Sequence, residues 1–145
     1  MSWRRSTVYP SMITFDAPTR EFCVAARART STPLQSLVLM NDPVYVEAAR
    51  AFAQRILAEG GADRDARLAF AWRTALGRAP SAKEKAILAT ALDRQLTNFA
   101  QDKAAATALL AIGDAPKPAQ VDESELAAWT AVGNVLLNLN ETITN

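Results

Sequence analysis

From Thr32 onward, apolar residues recur at three- and four-residue intervals and no run alternates with a period of two, so helices are expected and strands are not. Thr32-Pro33-Leu34-Gln35 reads as an N-cap, a proline at the first helical position and a glutamine placed to complete a capping box. The short helix it opens, to about Met40, is apolar nearly all round (Leu34, Leu37, Val38, Leu39, Met40). That pattern predicts burial on every side, as a central peg for the later helices. Asn41-Asp42-Pro43 stops this helix and starts the next, with Asp42 as its cap. The second helix runs to about Glu59, turns Tyr45, Ala49, Phe52, Ala53, Ile56 and Leu57 inward, and ends at Gly60-Gly61.

Asp63 or Asp65 opens a third helix, with Leu68, Ala69, Trp72, Ala75 and Leu76 facing inward and Gly77 at its end. Ser81-Ala82-Lys83-Glu84 is a capping box, after which Ile87, Leu88, Leu92, Leu96 and Phe99 continue at helical spacing. An Ala-rich helix covers about 102–112, Asp114-Ala115-Pro116-Lys117-Pro118 forms a loop, and Asp122-Glu123-Ser124-Glu125 opens the last helix. Its apolar stripe is Leu126, Trp129, Val132, Leu136, Leu137 and Leu139. Residues 1–31 hold no sustained helical period. They carry Pro10, Pro18 and five Arg against Asp16 and Glu21, and read as an irregular basic arm. The expectation is an all-α fold: a compact bundle of about six helices over 32–145, preceded by the arm.

Composition then removes several chemistries. The 145 residues include no His, which excludes Ser-His-Asp catalysis and His-ligated zinc or haem within the chain. A single Cys, Cys23, excludes an internal disulfide and a CxxC redox pair. The formal net charge of +1 gives no global reason to expect nucleic acid. No apolar run approaches the roughly 20 residues of a membrane span, and the N-terminal residues lack the apolar core of a secretory signal. Neither a cofactor nor a metal site is expected in this chain.

Two long blocks carry a family resemblance. The first is Ser11 to Cys23, S-M-I-T-F-D-A-P-T-R-E-F-C; the second is Arg27 to Arg50, R-A-R-T-S-T-P-L-Q-S-L-V-L-M-N-D-P-V-Y-V-E-A-A-R. Together they resemble the C-terminal domain of planctomycete cytochrome-c-associated proteins, catalogued as domain of unknown function 1553. The segment from Glu125 through Glu141 resembles that family's closing stretch, and the likeness extends over essentially the whole chain. Ala26, Ser31 and Asn140 stand where the family pattern has Arg, Asn and Asp. The resemblance implies the C-terminal part of a larger, exported multidomain protein, periplasmic or beyond, in which a c-type cytochrome domain and a second domain come first. Those preceding domains are the implied partners. The family pattern supplies no activity.

Candidate sites are few. Arg27 and Arg29, just ahead of the Thr32 helix start, form an anion-site candidate, because free N–H groups and guanidiniums together attract phosphate, sulfate or carboxylate. That would suit an anionic or sulfated saccharide. The simpler reading has the arm pinned to the helical body by ion pairs among Asp16, Arg20, Glu21, Asp42 and the arginines. Asp16, Glu21, Asp42 and Glu47 could supply a carboxylate pair for glycoside chemistry, but sequence does not place them together in space. Asp42 as helix cap and Glu47 in the first turns of that helix are the simpler readings. Cys23 reads as a small buried thiol, Trp72 and Trp129 as core residues, and Trp3 and Tyr9 as contacts for a neighbour. The favoured role is a non-catalytic structural or interaction module.

Overall fold

The computed structural model describes residues 10–18, 23, 25–26, 30, 32–116 and 121–144. Among them the chain forms eight helices and no strand. These are α1 (Pro10–Thr14), α2 (Pro33–Asn41), α3 (Pro43–Glu59), α4 (Arg64–Leu76), α5 (Ala82–Gln101), α6 (Lys103–Leu110), α7 (Glu123–Leu137) and α8 (Asn140–Thr144). Six span seven residues or more, which agrees with the all-α expectation. α1 is a single turn within the stretch read as irregular.

Helix starts follow local chemistry closely. The Thr32 and Ser81 capping boxes both form, the latter reciprocally with Glu84. Asp42 caps α3 through the Val44 N–H, and Asp63 rather than Asp65 caps α4. Gly77 closes α4 in the left-handed conformation, with φ of 71°.

Packing differs from the sequence reading at one decisive place. α2 is not the central peg; α7 is. From Leu126 to Thr130 five consecutive side chains are buried, followed by Val132, Gly133 and Leu136, so α7 is covered over most of its surface, with Val135 left 51% exposed. It packs against α2, α3, α4, α5, α6 and α8. Gly133 allows this closeness to α3: a Cβ there would lie 3.3 Å from both the Ala49 carbonyl oxygen and the Phe52 ring. Ala49 and Ala53 supply the small surface on the α3 side. The main core joins Ile56, Leu68, Trp72, Leu88, Leu92, Leu110, Leu126, Trp129 and Leu136. Both Trp72 and Trp129 therefore sit where the sequence placed them.

α2 by contrast buries only Gln35, and Leu34, Leu37 and Met40 are 57%, 58% and 54% exposed. An apolar sequence predicts burial only if a neighbour exists for each face, and here α3 and α7 cover one side. Ile87 is a second correction. It is 61% exposed, because Leu88 and Leu92 take the inward direction of α5 and Ile87 lies about 100° away around the helix. Cys23 is a third: it is exposed rather than buried.

Candidate functional site

The elements around the start of α2 form a closely connected polar site. Two residues past α1, Asp16 has a left-handed φ of 58°, a conformation that Asp tolerates better than most side chains. The Asp16 and Ala17 N–H groups donate to the Ile13 and Met12 carbonyls, closing that turn. One Asp16 carboxylate oxygen, Oδ2, then accepts from both the backbone N–H and the hydroxyl of Thr30, each at 2.8 Å. Gln35 completes the junction. Its Oε1 accepts from the Thr32 N–H at 2.8 Å, and its Nε2 donates to the Thr14 carbonyl at 2.9 Å and to Thr30 Oγ1 at 3.0 Å. A buried amide with each of these positions engaged fixes α1, residue 30 and α2 relative to one another.

Two more contacts brace the same corner. Ser11 Oγ donates to Asp42 Oδ2 at 3.0 Å, while Asp42 Oδ1 caps α3. The Phe15 and Tyr45 rings meet with centroids 5.8 Å apart. One residue beyond Gln35, the Ser36 carbonyl accepts from Asn138 Nδ2 at 3.2 Å, which ties α2 to the end of α7. Outward from this scaffold face Leu34, Leu37 and Met40, with exposed Ile13 on α1 and Val44 on α3 belonging to the neighbouring elements. No residue of α2 is charged.

Thr32, one of the anion-site candidates, has its N–H and its hydroxyl oxygen engaged with Gln35 in the capping box. Arg27 and Arg29 lie outside the described residues, as do Arg20, Glu21, Trp3 and Tyr9. Asp16 accepts hydrogen bonds from Thr30, within the same arm, and Asp42 accepts one from Ser11; these are not ion pairs. Glu47 is drawn elsewhere, accepting from the Asp114 N–H at 2.6 Å.

Two residues the sequence reading missed organise other corners. Arg50 is only 2% exposed, and its guanidinium donates to the Leu110 carbonyl and, at 2.8 Å, to the Ala115 carbonyl. A cation at the carbonyl end of α6 is favoured by the helix dipole. Arg78 donates to Glu84 at 2.7 Å and to Glu141 at 2.7 Å, and stacks over Trp72 at 5.3 Å from the ring centre. Hydrogen bonding to Arg78 holds the Glu84 carboxyl down to about 2 and lowers that of Glu141. Arg50 falls one residue beyond Ala49 on the predicted inner face of its helix, the signal that could have exposed it.

No helix of the described structure is long and apolar enough to cross a membrane. A family model described as PSD1, protein of unknown function (DUF1553), matches residues 1–92. The matched span reaches into α5 and stops short of the closing segment that the sequence resemblance also includes. No curated protein and no solved structure matches the chain.

Proposed function

The chain belongs to the PSD1 family of proteins of unknown function (DUF1553), and from that premise we propose that it is a non-catalytic helical module that docks onto neighbouring domains. The single observation that carries this reading is the α2 face. Leu34, Leu37 and Met40 stand more than half exposed on a helix without charge, while hydrogen bonds at Gln35 and Ser36, near its start, hold it in place. Apolar side chains in water cost about 25 cal/mol for each Å² left exposed, so a rigid stripe of them is suited to a partner surface.

The partner in this reading is the preceding part of an exported, cytochrome-c-associated multidomain protein, as the sequence resemblance implies. Gln35, Asp16 and Thr30 serve as positioning residues for the face. The test co-expresses the chain with a c-type cytochrome domain encoded ahead of or beside it, and follows haem absorbance through affinity purification. Haem should co-purify with the unmodified chain and be lost with Leu34→Asp/Leu37→Asp, whose melting curve stays in place because both positions are exposed. Equal haem recovery with both proteins would contradict the proposal, as would flanking coding sequence that contains no such domain.

A further inference from the structure

The outer face of α5 carries a second, chemically different surface. Lys83, Ile87, Thr90 and Arg94 fall at spacings of four, three and four residues and so lie along one line of the helix. Ala86, Ala91 and Gln95 flank that line, and the seven residues, all on this one helix, border a shallow, open depression. Other charges of α5 are committed: Glu84 to Arg78, Lys85 to Asp65 and Asp93 to Arg64. Among the described residues, Lys83 and Arg94 pair with no carboxylate. The result is an apolar strip centred on exposed Ile87 with an unpaired cation at each end, about 16 Å apart at ~1.5 Å per residue.

We propose that this strip binds an acidic amphipathic helix of another polypeptide, with apolar side chains over Ile87 and Ala91 and carboxylates at Lys83 and Arg94. Charge selects this occupant over the alternatives. A second copy would set Lys83 against Arg94 in an antiparallel pairing, or each cation against itself in a parallel one, and both repel. The chain's own N-terminal arm is also basic, with five Arg against two carboxylates in residues 1–31. Lys83 moreover lies in the first turn of α5, where the helix dipole disfavours a cation, and a partner carboxylate placed there relieves that cost. The small side chains of Ala86 and Ala91 leave room for a close helix approach.

The test titrates the full chain with a fluorescent synthetic helix of roughly 18 residues. Leu residues form one stripe of this probe, with Glu at both ends of the stripe; a second probe carries Lys in place of Glu. The Glu-ended probe should bind saturably, and the Lys-ended probe should not. Lys83→Glu/Arg94→Glu should weaken the Glu-ended probe about tenfold and give the Lys-ended probe measurable binding. Ile87→Asp should abolish binding of the Glu-ended probe. All three positions are exposed, so circular dichroism melts should match the unmodified chain. Failure of the Glu-ended probe to bind overturns the proposal, as does equal binding to the charge-reversed chain. Self-association that Ile87→Asp abolishes would also overturn it, by assigning the strip to a second copy.

Discussion

Gln35 contributes to the structure through its amide rather than its hydrophobicity, and losing that amide removes one partner from several groups at once. Gln35→Leu keeps the bulk but leaves the Thr32 N–H, the Thr14 carbonyl and the Thr30 hydroxyl without this partner. The expected loss is about 1–3 kcal/mol in urea unfolding. No change in midpoint would show that water replaces the amide at no cost. Gly113 is a second sensitive residue. Its φ is 92° and a Cβ there would strike the Glu47 carboxylate that receives the Asp114 N–H. Gly113→Ala should therefore destabilise by about 1–3 kcal/mol, measured the same way. At this scale caps were legible, because Thr32, Asp42, Ser81 and Gly77 act through neighbours in sequence. Arg50 was not legible, since its partners lie sixty and sixty-five residues away.

At the scale of elements, Arg78 joins the end of α4 to the start of α5 and to α8. Glu84 and Glu141 have lowered carboxyl values in the folded state, chiefly through hydrogen bonds to Arg78. The stabilisation is therefore present above the ordinary carboxylate value of 4.5 and is lost as pH falls toward about 2. Melting temperature should drop across that window, and Arg78→Ala should flatten the drop while lowering the plateau above it. An unchanged slope in the variant would contradict a role for this cluster in holding α8. Because all three side chains face solvent, added salt should weaken the effect. Helix spans were readable from periodicity and punctuation. Which helix lay at the centre was not, since α2 and α7 both read as apolar. What separates them is length without charge: α7 and the residues after it run uncharged from Leu126 to Asn140, whereas α2 offers nine residues.

For the molecule as a whole, the distinction between core and exposed apolar surface is the claim that matters. Leu136 is fully buried in the cluster around α7, so Leu136→Ala should cost about 2–5 kcal/mol. Leu37→Ala should stay within about 0.5 kcal/mol, because its side chain already meets solvent. Comparable losses at the two positions would restore α2 to the centre of the fold. A face that contributes little to folding yet is held by Gln35 and Asn138 is what a docking surface requires. The most direct measurement places a photo-crosslinking residue at Leu37 in the chain expressed in its native host, with Lys103 as an exposed control on α6. A discrete adduct at Leu37 whose peptides include a c-type cytochrome domain, with no equivalent at Lys103, is the expected result. Crosslinking to that domain at neither position, or equally at both, would contradict the assignment of the α2 face as the docking surface.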